Sequence, residues 1–216
     1  MRQERAQITR QRIINAAAEV FDERGFAGTS VSEILARAGV TKGAFYFHFA
    51  SKEEIAAEIE GYEIRALSGV AATAGPFLQL LIDLSHVMAR ELRESAMVRA
   101  SIRLSVESSF SEPQTAPYVA AIGLVRTLLL RAQGEGTVRL DLDVDAAAYL
   151  VISSFTGAQI VSQVFTGRSD LERRLVELWT LLLPGLAVPG AADDLRLGTP
   201  PGLVGSEAPT AGQSST

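Results

Sequence analysis

Between Thr29 and Phe49 the chain reads TSVSEILARAGVTKGAFYFHF, and this stretch restricts the possible folds more than any other. Ser30-Val31-Ser32-Glu33 has the form of a capping box, in which a serine and a glutamate three residues later accept each other's backbone N–H groups at a helix start. The pattern predicts a short helix that buries Ile34 and Leu35 and ends at Ala38-Gly39. Thr41 is then placed to cap a second short helix over about residues 42–48. Helices this short do not persist alone in water, so both must pack on a longer partner. Ile13, Ala17, Val20 and Phe21 recur at helical spacing just upstream, and Gly25 stops that helix. Two short helices joined by a tight glycine turn, backed by a third, form the arrangement that presents the second of the pair to a DNA major groove.

The remainder is also helical in period. Ser51-Lys52-Glu53-Glu54 is a second capping box and opens a helix towards Ser68. Pro76 suits a first helical position, and Phe77–Glu94 follows with Leu80, Leu81, Leu84, Met88 and Leu92 inward. Helices are expected over about Met97–Ser108, Tyr118–Gln133 and Asp145–Phe165, with Ser109–Pro117 as a loop. Ser169-Asp170-Leu171-Glu172 is a third capping box for a helix that carries Trp179 and ends near Pro184-Gly185. No strand and no internal repeat is evident. The expected fold is all-α, with a three-helix head over residues 1–52 and a larger helical body over 53–187. From Val188 onward Pro, Gly, Ala, Ser and Thr dominate, so 188–216 reads as a disordered tail.

Charge separates the two parts. The net charge of −5 disfavours a nucleic-acid partner for the whole chain. Residues 1–52, however, hold eight Arg or Lys and five Asp or Glu, net +3, which leaves the rest at −8. A basic head on an acidic body calls for a separate role for the head. Cysteine is absent, and the two histidines, His48 and His86, are unlinked, so thiolate chemistry, cysteine-type zinc sites and a histidine-rich metal site are excluded. There is no glycine-rich phosphate loop, and His86 and Asp83 face different directions on one helix. No catalytic constellation results, and no enzyme activity or cofactor is expected. Asp141, Asp143 and Asp145 lack the glycine and distal glutamate of a calcium loop and are read as charge matching at a helix start. The N-terminus MRQERAQITRQR leads into no apolar signal core, and the apolar stretch Val144–Val164 is broken by Asp145, Ser153, Ser154, Gln159 and Gln163. The expectation is a cytoplasmic chain with no membrane partner.

Thr41, Lys42 and Tyr46 carry groups able to bond phosphates or base edges, while Gly43 and Ala44 let the backbone come close to DNA. His48 is a phosphate candidate at the helix end, and Lys52 adds charge to a helix N-terminus. Thr29, Ser30 and Ser32 complete the expected DNA-binding set. Phe47 and Phe49 are read as core. Arg10 and Thr9 suit either phosphate contact or a solvated helix start.

The segments IINAAAEVF at 13–21, Gly25-Phe26, Thr29–Gly39 and GVTKGAFYFHFASKEE at 39–54 resemble the TetR family of transcription regulators. That resemblance implies a homodimer on double-stranded operator DNA, with affinity weakened by a small effector bound in the body. The LDLDVD run at 140–145, the loop prolines and LVELWTLLLPGL at 175–186 look more narrowly like the γ-butyrolactone receptors and pseudo-receptors of actinomycetes. Those receptors place a tryptophan against the ligand where this chain has Ala121, and Trp179 matches a different position near the dimer helices. The departure implies a wider or differently shaped pocket and an effector other than a simple butyrolactone. A butyrolactone receptor and a small-molecule binder without DNA are the alternatives. Met88, Leu104, Phe110, Tyr118, Ile122, Phe155 and Gln159 are the effector candidates, with Ser105 and Thr156 able to fix orientation. The expected dimer seam uses Val151, Ile152, Phe155, Ile160, Val161 and Val164 on one helix, and Leu175, Leu178, Leu182 and Leu183 on the next.

Overall fold

Gly25 ends the first helix, α1 (Arg2–Arg24), at a φ of +72° that favours a residue without a Cβ. The structure is a computed structural model that describes residues 2–62, 76–108 and 115–201. After Gly25 the capping box forms as read: Ser30 Oγ accepts from Glu33 N, and the Glu33 carboxylate accepts from Ser30 N at 2.9 Å. These bonds hold the Glu33 carboxyl below its ordinary pKa. Helix α2 (Val31–Ala38) stops at Gly39, at φ +63°, and Arg12 of α1 donates to Ala38 O at 2.8 Å, fixing the turn from beneath. Helix α3 (Lys42–His48) starts at Thr41, whose Oγ1 accepts from Ala44 N at 3.2 Å. Helix α4 (Lys52–Ile59) follows.

These short helices exist because of what they bury. Ile13, Ala17 and Phe21 of α1, Ile34 of α2, Phe45 of α3, Phe49, and Ile55 and Ile59 of α4 form one core. Each large side chain contributes about 1.5–3 kcal/mol when fully buried. A division after residue 52 therefore cuts through this core. Ser51 does cap a helix, but that helix faces back into the head, and the unit closes after Ile59.

The body comprises α5 (Phe77–Glu94), α6 (Ala96–Ser108), α7 (Ala116–Gly134), α8 (Val144–Thr166) and α9 (Leu171–Leu186). Its core gathers Leu78, Ile82 and Leu92 of α5, Leu128 and Leu129 of α7, Ala148 of α8, and Leu175 and Trp179 of α9. Among the described residues there is no strand, only an isolated bridge between Val138 and Ala187. Helix α8 is long and apolar enough, by length and composition, to cross a membrane. Here its inner face carries Ala147, Ala148, Val151, Gln159 and Ser162 against the other helices.

Three expectations differ locally. Pro117 lies in the first turn of α7, not in a loop. The third capping box does not form: the Asp170 carboxylate accepts from Ser162 and Thr166 of α8, both at 2.6 Å, which ties the end of α8 to the start of α9. The predicted tail is not all tail. Residues 188–201 run back over α5, with Leu195 and Leu197 packed on the core, Arg196 paired with Asp83 at 2.8 Å, and His86 Nε2 2.7 Å from Leu197 O. Their composition is loop-like, yet alternate leucines and a guanidinium find partners on α5. The expected continuation of α4 towards Ser68, Phe110, and the tail beyond residue 201 lie outside the described residues, α4 itself ending at Ile59.

Candidate nucleic-acid interface and inner cavity

Helix α3 presents its outer face as an exposed ridge whose side chains contact one another and their own helix. Thr41, Lys42, Gly43 and Tyr46 are exposed, Ala44 and His48 half-buried, and the inner residues Phe45 and Phe49 are sunk in the core. Lys42 Nζ lies 5.9 Å from the Tyr46 ring, so ammonium and phenol share one side of the ridge. A Cβ built on Gly43 meets nothing within 4 Å, so the glycine leaves the backbone open to close approach. Phe47 is 76% exposed and edge-on to His48, which corrects its reading as core. In a helix of seven residues only one stripe can face inward, and Phe45 and Phe49 occupy it.

Two other members of the expected DNA set point inward. Thr29 is buried, and its hydroxyl donates to Gly25 O at 2.6 Å. Lys52 Nζ donates to Phe26 O and Thr29 O, both at 2.9 Å, and sits 4.3 Å from the Phe26 ring centre. Its ammonium braces α4 against the α1–α2 turn. Ser30 and Ser32 remain exposed at the start of α2, with Ser30 engaged in its cap. Arg10 is spent internally, on Glu58 and over the Phe49 ring, while Thr9 bonds its own helix.

A cavity of about 130 Å³ lies between α5, α6, α7, α8 and α9. Its wall is mostly apolar, with Met88, Leu84, Leu128, Val151 and Phe155 among it. The polar groups on the wall are Ser85, Ser105, Tyr118, Thr156 and Gln159. Of the effector candidates, Met88, Tyr118, Phe155 and Gln159 line this space, and Ala121 lies beside Tyr118 in the same wall. Two do not. Leu104 turns away into the core of the head, and Ile122 packs, partly buried, against the body core without lining the cavity. Both follow from phase: on α6 it is Ile102 and Ser105 that face the cavity, on α7 Tyr118, Ala121 and Val125. Trp179 lies on α9, one of the helices expected at the dimer seam, and also reaches the cavity. It is buried in the cavity wall, with Nε1 donating to Ser85 Oγ at 2.9 Å. The ring missing at Ala121 is thus matched by one entering from α9, which sequence position alone could not reveal.

Helix α6 belongs to both units. Ala100 and Leu104 fill the head core, while Ile102 and Ser105, on the opposite face, line the cavity. Polar contacts reinforce the joint: Arg99 pairs with Asp22 at 2.8 Å, Arg103 donates to Asp22 O at 2.6 Å, and Glu107 accepts from Phe26 N at 2.8 Å. The Glu107 carboxylate approaches so close to Gly25 that a Cβ there would sit 2.4 Å from it. No group of acidic or histidine side chains suited to a metal occurs among the described residues.

On the outer side of α8 and α9, Val161, Val164, Phe165 and Leu181 are exposed, the last two at 81% and 80%. Of the expected seam, Ile160, Val161 and Val164 lie on this surface. Val151, Leu175 and Leu183 are buried within the protomer, and Ile152, Phe155, Leu178 and Leu182 pack on its core.

Comparison with known proteins accounts for this two-part plan. Residues 13–59 match the family model of bacterial regulatory proteins of the tetR family, and residues 76–189 match the tetracyclin repressor-like C-terminal domain. The chain belongs to the TetR family. It is 40% identical over 196 residues to the A-factor receptor protein of Streptomyces griseus, spanning 90% of this chain and 70% of that one. The full-length crystal structure of TylP, a TetR regulator from Streptomyces fradiae, superposes with a TM-score of 0.77 at 41% identity, covering 88% and 92% of the two chains. CprB from Streptomyces coelicolor, in complex with its operator sequence, gives 0.71 at 36%, covering 87% and 92%. As a TetR-type DNA-binding regulator, the chain has α2 and α3 as its helix-turn-helix.

Proposed function

We propose that the chain is a dimeric repressor that holds a palindromic operator with its two heads and releases it when a small, largely apolar effector enters the inner cavity. The observation that carries this reading is α6, one helix with the head core on one face and the cavity on the other. A cavity of about 130 Å³ equals the volume of about four liquid waters, at about 30 Å³ each. A larger effector must move a wall, and the α6 wall cannot move without shifting Ala100 and Leu104 in the head. Lys42, Tyr46, Thr41 and His48, with Phe47 beside them, are assigned to DNA, and the apolar strip with Phe165 and Leu181 to the partner subunit. The regulated process is antibiotic or other secondary metabolism, and the protein acts in the cytoplasm.

A second reading of the effector has its own support. Trp179 supplies an aromatic wall despite Ala121, and the relatives include the A-factor receptor protein, so a γ-butyrolactone remains the competing ligand. Selection from random duplexes would define the operator, and titration of the complex with butyrolactones and aromatic polyketide-type compounds would separate the two. Release by a butyrolactone at nanomolar concentration establishes the second reading. If no apolar compound releases DNA, and the cavity-filling variant Ala121→Trp binds the operator as the parent does in every case, the repressor reading through this cavity fails.

A further inference from the structure

A second hollow, a cleft of about 840 Å³, lies where α1, α6 and the α8–α9 turn meet, and shares Gln159 and Ile102 with the inner cavity. Four arginines line it against two acids, Asp22 and Glu107. Three of the four are paired: Arg93 with Glu172 and Arg103 with Glu107, both at 2.7 Å, and Arg99 with Asp22 at 2.8 Å. Arg168 has no carboxylate partner among the described residues. Its Nε and Nη2 both donate to the neutral Gln159 Oε1, at 3.3 and 3.0 Å, which leaves Nη1 and the outer edge of the guanidinium unused. Arg99 likewise leaves Nη2 unbonded among the described residues.

Arg168 occupies this position at a cost. Its φ of +69° makes it the one non-glycine residue with positive φ among the described residues. For a residue with a Cβ that conformation costs about 1–2 kcal/mol. Burial pushes its pKa down and the charge of Arg99 pushes it further the same way, while the Asp22 carboxylate offsets part of this, leaving the net direction downward. A surface turn offers a long arginine an easy exit to water. This one is turned inward, strained, half-buried and beside a like charge, which is favourable when an anion completes the site.

We propose that the cleft is a second binding site, for a small organic carboxylate held by the outer edge of Arg168 and by Arg99. A carboxylate matches the planar two-donor edge of a guanidinium, and the part-exposed Ile102 and Val106 provide an apolar floor for the rest of the molecule. This goes beyond the effector reading, because it concerns a different hollow and a charged ligand. Since Arg99 also holds Asp22 of α1, a bound carboxylate draws on a contact between body and head.

The test is calorimetric titration of the full chain, without DNA, at constant ionic strength in chloride. Benzoate is the probe, with benzyl alcohol as its neutral counterpart and inorganic phosphate as an anion without an apolar body. The expected result is one benzoate per chain, at least tenfold weaker in Arg168→Gln, unchanged in Ala121→Trp, and tighter than phosphate or benzyl alcohol. Arg168→Gly relieves the backbone strain but also strips the buried Gln159 Oε1 of its donors, so its thermal unfolding is measured beside the titration, and a variant that unfolds cooperatively yet loses benzoate separates binding from folding. Equal benzoate affinity in the parent and in both Arg168 variants would overturn the site. So would its loss in Ala121→Trp, phosphate binding as tightly as benzoate, or no benzoate binding at millimolar concentration. None of these results depends on an operator or on the effector of the inner cavity.

Discussion

Replacing Lys52 by methionine asks whether its ammonium serves the fold or the DNA. The substitution keeps the apolar stem and removes two bonds, to Phe26 O and Thr29 O, each 2.9 Å, and a cation–ring contact of 4.3 Å. Bonds from a charged donor contribute about 1.5–3 kcal/mol each, and a ring contact adds about 0.5–1 kcal/mol. Against this stand about 1–2 kcal/mol of side-chain entropy recovered and the partial access of water to this part-buried site. A net loss of about 2 kcal/mol follows, which for a chain of this size lowers Tm by about 4–8 °C. Thermal unfolding followed by circular dichroism measures it, alongside the salt dependence of operator affinity. A structural brace predicts a lower Tm and an unchanged salt slope. An unchanged Tm with a slope reduced by about 0.9, the value of one lost phosphate contact, would refute the reasoning and restore Lys52 to the DNA face.

Three further outcomes are expected. Phe165→Glu and Leu181→Glu should each dissociate the dimer in sedimentation: two-fold symmetry doubles a loss of at least about 2 kcal/mol per site, about a thousandfold in Kd, whereas Leu182, packed on its own core, is the wrong probe. Lys42→Ala should change the ranking of operator variants in a binding competition, not only the overall affinity, because the residue stands exposed on the α3 ridge. Hydroxyl bonds from Ser162 and Thr166, with Arg174 beside them, hold the Asp170 carboxyl well below its ordinary pKa. Its stabilisation is therefore complete above the unfolded value near 4 and fades as pH falls below it. Asp170→Asn should be less stable than the parent at pH 6, and the gap should narrow towards pH 2 in urea titrations.

The sequence carried the local grammar of the head well, because each signal there is short-range: Ser30 with Glu33, Gly39 after Ala38, Thr41 before α3. It also located the polar cavity residue Gln159, since an amide on an apolar helix demands a partner. What escaped it was direction. Thr29 and Lys52 have the chemistry of DNA ligands, but their partners are carbonyls at Gly25, Phe26 and Thr29, brought close only by the fold. Leu104 and Ser105 are neighbours in sequence and face opposite units, a difference of one helical step that composition does not record. Trp179 enters the cavity through the crossing of α9 over α5, which no spacing within α9 encodes.

The course of residues 188–201 bears on how the protein is best produced. A designer trimming low-complexity ends would stop near Val188, where the Gly- and Pro-rich composition begins. That cut would strip Leu195 and Leu197 from the core, leave Asp83 and Gln79 without Arg196, and open the buried His86 ring, whose Nε2 loses the Leu197 carbonyl and whose Nδ1 already has no partner among the described residues. The shortened polypeptide would offer a sticky groove along α5 and invite precipitation during purification. Retaining residues through Pro201 keeps the clasp whole.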